Sequence, residues 1–552
     1  MARLPRWLRW TGLALGALVL LAALAAFAGW LWLRAQILDS GGRLRPLQAA
    51  YDVRRYDLEV AIDPAAKRIR GRNVATVVAT APLGRFEIQL DGRLEVASAA
   101  VDGGPARFTH ADGLVSVALE APWAAGERHA VALAYAGRPK VAARPPWLDG
   151  MVWEKTPSGA PWLGVTTQGD GADDWWPCKD HPSDEPDEGM TIALTLPSDL
   201  VGLANGRKLS EIVHGDGTTT THWRVSYPIN NYLVTFNAAP YLPVEARYRG
   251  ADGRLDLPMV FWALPEHVAQ ARTLWASAPR MLETMARRYG EFPFLEDKIA
   301  VVEAPYEGME HQTLVAWGGE FTTNEFGFDD LLLHEMAHEW WGNKISVADW
   351  ADFWVQEGFA TYAEALYVLD TQGEAKYLDY VRRLARKTRN REPLVSAPDA
   401  TVADNYNGDI YYKGACLLHT LKWLLGDEAF FTALRRFATD ERYAYRLVSS
   451  ADFERLVAEI TGREIPWFWQ RYLRRAEPPR WTLGRAAAGA GRETIELAWD
   501  DPAFELPLPV EVAGAERRIE MPGGRARFEV AAGAAVAVDP RGRIFARPAP
   551  GS

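Results

Sequence analysis

The spacing of apolar residues changes twice along the chain and divides it into three parts. Between residues 51 and 242, short runs of alternating apolar and polar residues are broken by Gly, Pro and Asp, which predicts strands of an antiparallel sheet or sandwich. The clearest runs are residues 57–62, 73–79, 190–196 and 232–236. We therefore predict a β domain, an antiparallel sheet or sandwich, over residues 45–250.

A helical period replaces this alternation after about residue 250. Amphipathic stretches predict helices over residues 265–289, 376–391, 412–425 and 452–475. Short strands return after residue 478, for example over residues 494–499 and 534–539. The pattern predicts a multidomain α+β protein, with a mostly helical domain over residues 251–477 and a small β domain over residues 478–552.

A separate apolar segment opens the chain. Residues 11–33 form an uncharged run of 23 residues, and at about 1.5 Å per residue such a helix crosses a hydrocarbon core of about 30 Å. We predict a transmembrane anchor that leaves the basic residues 1–10 in the cytoplasm and the body in the periplasm. A cleaved signal peptide is the alternative, because Ala26 and Ala28 form an acceptable cleavage site. The flanking basic residues are Arg3, Arg6 and Arg9.

The composition limits the class of partner. Of the 552 residues, 48% are hydrophobic and 24% are charged, as in ordinary folded proteins. The net charge of -11 and the pI near 5.6 argue against nucleic acid as a partner, because neutralising phosphates requires a basic surface. The two cysteines, Cys178 and Cys416, are too few for a disulfide framework, and we expect both to be buried as small hydrophobic residues.

Candidate chemistry concentrates in one stretch, where His334, Glu335 and His338 stand in the order H-E-x-x-H. Residues four apart lie on one face of an α-helix, so both imidazoles can reach one metal ion. Glu335 then lies beside the metal, where it can take a proton from zinc-bound water. Asp329 and Asp330 suit the N-terminal end of this helix, and Gly342 and Asn343 suit its C-terminal turn.

A site with two histidines needs a third protein ligand. A metzincin would carry a third histidine six residues after His338, but residue 344 is Lys. A carboxylate is the other common solution. Residues 350–366 predict a second helix, and Glu357 on this helix lies 19 residues after His338.

These residues resemble the aminopeptidase N family of gluzincin zinc metallopeptidases. The family signature is H-E-x-x-H, eighteen residues and then E, which His334, His338 and Glu357 match with the full spacing. Gln356 departs from the family, which often has Asn at that place. The resemblance implies one Zn²⁺ ion bound by His334, His338 and Glu357, with Glu335 as the general base.

A second resemblance concerns the substrate. The family binds the free α-ammonium of a peptide through a G-A-M-E-N segment, and residues 307–311, Glu-Gly-Met-Glu-His, look like that segment. The resemblance implies that Glu310 binds the ammonium and that Gly308 and Met309 belong to the substrate-binding segment. His311 departs from the family.

Two further groups follow from the same resemblance. The family has a second amine-binding residue in a Gln-containing loop ahead of a Pro-Cys pair, and both Gln168 and Asp170 are candidates for this place. In the family's Y-x-K-G motif the tyrosine donates a hydrogen bond to the developing oxyanion, and Tyr411 takes that position here. A phenol is a donor at neutral pH, which suits this role.

The resemblance implies a zinc-dependent aminopeptidase that hydrolyses the first bond of peptides with a free N-terminus, through attack of zinc-bound water. It also implies a saddle-like β domain, a thermolysin-like catalytic domain and a small β sandwich, and we expect the family's large helical C-terminal domain to be absent. Two alternatives remain open, a zinc endopeptidase without an amine anchor and an inactive peptide-binding protein. One family branch hydrolyses epoxides, but no residue here requires a lipid substrate. Nothing in the sequence predicts an oligomeric state.

Overall fold

The structure, a computed structural model, describes residues 6–37, 42–250 and 252–550. It has three main parts, which follow the alternating and helical patterns of the sequence. A β-rich N-terminal part is followed by a helical part that contains the H-E-x-x-H stretch, and a second β part ends the chain. One apolar helix precedes them. The predicted multidomain α+β class is confirmed, whereas the domain boundaries stay a prediction.

The apolar N-terminal segment is helical. Helix α1, Arg6–Ile37, contains an uncharged 18-residue window, Leu15–Trp32, in which no residue is buried. Its length and composition allow it to cross a membrane, and a signal sequence has the same features. Arg3 lies outside the described residues, so the predicted orientation stays a prediction.

The N-terminal β part contains three sheets. The largest has eight strands in the order β13-β14-β11-β1-β2-β8-β4-β5, and the others have the orders β12-β15-β10-β9 and β3-β7-β6. Most neighbours are antiparallel as predicted, but β1 pairs in parallel with β11. The strands are β1 Tyr51–Asp63, β2 Arg68–Ala79, β3 Leu83–Gln89, β4 Leu94–Val101, β5 Gly104–Ala106, β6 Phe108–Ala111, β7 Leu114–Trp123, β8 Arg128–Gly137, β9 Gly150–Lys155, β10 Pro161–Thr166, β11 Met190–Pro197, β12 Val201–Ala204, β13 Arg207–Val213, β14 Thr218–Val225 and β15 Phe236–Ala239.

One predicted strand is wrong. Residues 232–236 were predicted to be extended, but Asn231–Leu233 forms a short 3-10 turn and β15 begins only at Phe236. Tyr232 and Leu233 are both fully buried although they are consecutive. Consecutive residues of a half-buried strand alternate between buried and exposed positions, whereas these two residues are both enclosed in a turn. Their hydrophobicity therefore reflects the burial of the turn.

The middle part begins with a five-stranded sheet that the sequence did not predict. Its order is β16-β17-β18-β20-β19, and β19 forms one edge. Strand β16 precedes the predicted boundary at residue 250 but pairs with β17 along its whole length. The strands are β16 Leu242–Tyr248, β17 Leu257–Ala263, β18 Ile299–Glu303, β19 Gly308–Met309 and β20 Val315–Trp317, followed later by the pair β21 Ile345–Val347 and β22 Arg446–Val448.

Ten helices of the middle part follow or flank this sheet within the described residues. Two predicted helices are each divided in two. Pro279 lies in the first turn of α3 and disfavours a continuous helix from α2, and Gly462 ends α10 in a left-handed conformation before Pro466 begins α11. The helices are α2 Val268–Trp275, α3 Ala278–Tyr289, α4 Asp330–Ala337, α5 Trp354–Gln372, α6 Glu374–Lys387, α7 Val402–Asn405, α8 Gly408–Leu425, α9 Asp427–Thr439, α10 Ser450–Thr461 and α11 Pro466–Tyr472.

The C-terminal β part contains two small sheets, with the orders β27-β24-β23-β29 and β26-β25-β28. Strands β24 and β28 correspond to the two runs predicted there. The strands are β23 Arg480–Gly489, β24 Arg492–Trp499, β25 Leu508–Val512, β26 Ala515–Ile519, β27 Arg525–Ala531, β28 Val536–Val538 and β29 Arg547–Pro548.

Helices α5 and α8 touch through two glycines. A methyl group at Gly358 would lie 3.0 Å from both the Cα of Gly414 and the carbonyl oxygen of Ile410. This contact brings the first turns of the two helices together, which places Glu357 and Tyr411 on the same side of the molecule.

We expect Gly358→Val to destabilise the fold by about 1–3 kcal/mol, because the side chain must displace the α8 backbone. The measurement is thermal unfolding of the purified protein. Gly484→Val is the matched control, because the nearest atom to a Cβ there lies 3.7 Å away and valine suits a strand. Equal midpoints for the two variants would contradict the packing constraint.

Candidate active site

Helix α4 presents the first two candidate ligands. The Asp329 carboxylate accepts a 2.7 Å hydrogen bond from the amide of Leu332 and caps the N-terminus. The helix ends at Ala337, earlier than predicted, and its C-cap residue His338 has right-handed helical dihedrals. The carbonyl of His338 then accepts from the amide of Asn343 at 3.0 Å, so a wider turn replaces the expected helical end near Gly342.

Three donor atoms converge where the two helices face each other. His334 Nε2 and His338 Nε2 are 3.1 Å apart, and each lies 3.4 Å from Oε2 of Glu357 on α5. Ligand atoms about 2.0–2.1 Å from a tetrahedral zinc ion are about 3.3 Å apart, so the spacing and the donor types fit zinc. His334, His338 and Glu357 thus form a group able to hold a metal ion.

Hydrogen bonds orient each of these ligands. Nδ1 of His334 lies 2.9 Å from Oε1 of Glu364, and Oε2 of Glu364 accepts a hydrogen bond from the Tyr380 hydroxyl on α6. Nδ1 of His338 donates to the carbonyl of Trp341 at 2.7 Å. Partners of this kind leave Nε2 of both rings as the nitrogen that faces a metal.

Burial and charge act oppositely on Glu357. Burial raises the pKa of a carboxyl, but the two imidazoles outweigh it and hold the pKa of Glu357 at about 2. The side-chain amide of Gln168 donates to Oε1 of Glu357 at 3.3 Å. The third ligand is therefore a carboxylate at neutral pH.

Glu335 lies beside this group with little room around it. A methyl group at Gly308 would lie 2.6 Å from Oε1 of Glu335, so residue 308 must be glycine for this carboxyl to keep its place. Oε2 has no hydrogen-bond partner among the described residues. Burial raises the pKa of Glu335 to about 8, which favours a group that exchanges protons near neutral pH.

The substrate segment of the sequence analysis forms the edge strand β19 and the residues after it. Gly308 and Glu310 line the cleft, whereas Met309 is fully buried in the hydrophobic core. The Tyr232 hydroxyl lies 3.1 Å from Oε1 of Glu310, and burial raises the pKa of Glu310. His311 is fully buried, with no partner for either ring nitrogen among the described residues, and burial lowers its pKa to about 3.

The structure separates the two candidates for the second amine-binding group. Gln168 lines the cleft and contacts Glu357. Both oxygens of Asp170 are engaged elsewhere, because they accept from the indole of Trp350 at 2.7 Å and from the amide of Val402 at 3.0 Å. Asp170 thus joins the β-rich part to the turn before α5 and to the first residue of α7, and Gln168 is the residue that the structure brings to the site.

Tyr411 lies on α8 close to the metal-binding group. Its ring is stacked on His334 with a centroid distance of 5.8 Å, and its hydroxyl lies 2.8 Å from that of Tyr406. Burial raises the pKa of Tyr411 well above its ordinary value, so the phenol stays a hydrogen-bond donor.

Four site residues were missed by the sequence analysis. Glu364 follows Glu357 by two helical turns, and this spacing was a signal that the same face of α5 continues toward His334. Tyr232, Tyr380 and Tyr406 come from separate turns and helices and carry no motif. Tyr232, Glu364 and Tyr406 make hydrogen bonds with predicted site residues, and Tyr380 donates to Glu364.

These groups line a cleft of about 430 Å³. The described residues that line this cleft are mainly acidic, because they carry six carboxyl groups and one ammonium group, that of Lys387. These are Glu307, Glu310, Asp330, Glu335, Glu357 and Glu364. Such a cleft favours cationic groups of a ligand over anionic ones.

Comparison with known proteins identifies the family. Residues 279–472 match the peptidase family M1 domain. The chain therefore contains a peptidase family M1 domain over these residues. The matched region begins in α3 and ends with α11, so it includes the three ligands, Glu335 and Tyr411. For an M1 peptidase, a single catalytic zinc ion is expected, and the donor atoms of His334, His338 and Glu357 fit it.

Individual relatives are distant in sequence. Human endoplasmic reticulum aminopeptidase 2 is 22% identical over 296 residues, which are 50% of this chain and 30% of that protein. Mouse aminopeptidase B is 24% identical over 434 residues, 71% of this chain and 62% of that protein. The M1 peptidase described here thus spans about a third of the length of the first of these relatives.

A solved structure covers more of the chain. The M1 zinc metallopeptidase from Deinococcus radiodurans superposes with a TM-score of 0.67 at 26% identity, over 77% of this chain and 93% of that chain. The part of this chain that superposes therefore has the architecture of a known M1 zinc metallopeptidase.

We expect Tyr380→Phe to weaken zinc binding about tenfold, because Glu364 loses a hydrogen bond and holds the His334 ring less firmly. The measurement is competition for zinc against a chelator of known affinity, followed without substrate.

Tyr377→Phe on the same helix is the matched control. Its hydroxyl lies 2.8 Å from that of Tyr362 and 2.6 Å from Nδ1 of His419, away from the metal-binding group. Zinc affinity should stay unchanged in this variant. An equal loss in both variants would show that only helix packing was disturbed.

Proposed function

We propose that this M1 peptidase is a zinc-dependent aminopeptidase that removes the first residue from peptides with a free N-terminus. The observation that carries the proposal is the position of Glu310 and Gln168, which line the same cleft as His334, His338 and Glu357. A carboxylate and an amide oxygen at one end of a cleft bind an ammonium group and hold the first peptide bond over the metal.

The relatives support this substrate class. Aminopeptidases are among the proteins that the chain matches. A variant of the Deinococcus radiodurans metallopeptidase has been solved with Tyr-Ser-Ala, and variants of a two-domain M1 zinc metallopeptidase with L-tryptophan and with L-arginine. We therefore propose peptides as substrates and single amino acids as products. The Glu310 carboxylate, which binds the free ammonium of the peptide, favours removal of the first residue over cleavage of internal bonds.

The residues divide the reaction among them. A zinc ion bound by His334, His338 and Glu357 supplies a Lewis acid for peptide hydrolysis. Glu335 takes a proton from the attacking water and passes it to the leaving amine. Tyr411 donates a hydrogen bond to the oxygen on which negative charge develops.

Glu310 supplies the selection for chain ends. At about 4 Å and an effective dielectric constant of about 20, a carboxylate and an ammonium attract each other by roughly 4 kcal/mol before desolvation. An acetylated N-terminus has no charge to make this contact, and its added carbonyl needs space beside a buried carboxyl.

We also propose that α1 anchors the protein in a membrane with its body on the extracytoplasmic, periplasmic side. The exposed apolar window Leu15–Trp32 supports an anchor, and the basic residues before it favour this orientation. The full chain should remain with the membrane fraction after an alkaline wash, and release into the soluble fraction would contradict an uncleaved anchor.

Glu335→Gln should retain zinc and lower kcat/KM on aminoacyl amides by about 10²–10⁴-fold, because an amide cannot accept the proton. Hydrolysis rate and zinc content are measured on the same preparation.

Glu339→Gln is the matched control, one turn further along the chain. Burial raises the pKa of Glu339 to about 8, and its carboxyl contacts the amide of Thr313 and the side chain of Asn343. Its side chain is absent from the described lining of the cleft, so hydrolysis should persist when the carboxyl becomes an amide. If Glu335→Gln hydrolysed aminoacyl amides at the parental rate, Glu335 could not be the general base.

Glu310→Ala should lower kcat/KM on free-amine peptides by about tenfold or more, since a hydrogen bond to a charged group contributes about 1.5–3 kcal/mol. The residual rate on N-acetylated peptides should change little. The two substrates are compared in parallel, and an equal loss on both would contradict an amine anchor.

A further inference from the structure

The first side chain of a bound peptide must lie close to Gln168. It branches from the carbon that carries the ammonium, so an ammonium anchored at Glu310 and Gln168 leaves this side chain within a few ångströms of them. The wall of the cleft beside Gln168 therefore decides which first residues fit.

Pro146 and Trp147, in the segment 146–149, contribute to that wall. The hydroxyl of Thr166 donates to the carbonyl of Pro146 at 3.4 Å, and the amide of Gln168 donates to the Asp149 carboxylate at 2.8 Å. Trp147 lies between these two attachment points. Pro146 and Trp147 both line the cleft together with Gln168.

The indole of Trp147 is held in place although 41% of the residue is exposed. The guanidinium of Arg144 lies 4.8 Å from the centre of the indole, and a backbone hydrogen bond of 3.0 Å from Leu148 to Arg144 closes the turn beneath it. Buried Leu148 anchors this turn in the protein. A large aromatic surface is thus fixed at the amine end of the cleft before any ligand binds.

Charge limits the first side chain further. The six carboxyl groups of the lining disfavour an acidic side chain, whereas an aromatic ring gains contact area and ring-ring contacts against an indole. We infer that Trp147 is a specificity-determining residue that packs against the first side chain and gives the enzyme a preference for large aromatic first residues over small ones. This inference rests on the proposed aminopeptidase function.

The test compares phenylalanine amide with alanine amide as substrates. Trp147→Ala should lower kcat/KM for phenylalanine amide about tenfold and change that for alanine amide at most about twofold, because a methyl side chain barely reaches the indole. Trp147→Phe should recover most of the loss. An equal loss on both substrates, or no loss on either, would overturn the inference.

Val141→Ala is the matched control. Val141 lies on the same connection between β8 and β9 and is 52% exposed, but it is absent from the described lining of the cleft. Both amides should be hydrolysed at the parental rates by this variant. A selective loss of phenylalanine amide hydrolysis here would assign the effect to the loop as a whole.

Binding of free amino acids tests the role of Trp147 separately from the proposed aminopeptidase function. If the parent protein hydrolyses neither amide, the proposed function fails, but calorimetry on the zinc-loaded protein still measures L-phenylalanine against L-alanine. Trp147→Ala should weaken L-phenylalanine binding about tenfold and leave L-alanine binding unchanged. Equal affinity of the parent for both amino acids would overturn the role of Trp147.

Discussion

The active site depends on holding two imidazoles and one carboxylate within 3.1–3.4 Å of one another in a buried place. Taking a carboxylate out of water is costly unless opposite charge or hydrogen-bond donors face it. Helix α4 supplies both imidazoles one turn apart, and α5 supplies the carboxylate. The glycine contact of α5 with α8 then fixes where Tyr411 stands, so the metal-binding group and the oxyanion donor share one packing constraint.

The amine end of the cleft is tied to this centre by hydrogen bonds across the parts of the chain. Gln168 comes from the β-rich part and donates to Glu357 of the helical part. Tyr232 lies 3.1 Å from Glu310 and 3.2 Å from Oε1 of Gln356, the residue next to Glu357. Gln356, which departs from the family pattern, is thus linked to Glu310 through the Tyr232 hydroxyl. His311, the other departure, is buried and uncharged, so it acts through packing.

Much of the centre was predictable because its residues follow fixed spacings. His334 and His338 are one helical turn apart, and Glu357 and Tyr411 stand in motifs whose neighbours also match. What the sequence did not predict depends on contacts between distant segments. Asp170 accepts hydrogen bonds from Trp350 and Val402, which leaves Gln168 at the cleft. These contacts join residues far apart in the chain, so no sequence pattern predicts them. Strands β18, β19 and β20 of the five-stranded sheet were missed because they are short and fully buried, which removes the alternation that marks a half-exposed strand.

The central claim is that a carboxylate anchor beside the metal makes the enzyme act on chain ends. The most direct measurement is mass spectrometry of a six-residue peptide and its N-acetylated twin during incubation with the zinc-loaded protein. The account predicts stepwise loss of single residues from the N-terminus of the free peptide and an intact acetylated peptide. Internal fragments from both peptides would contradict it.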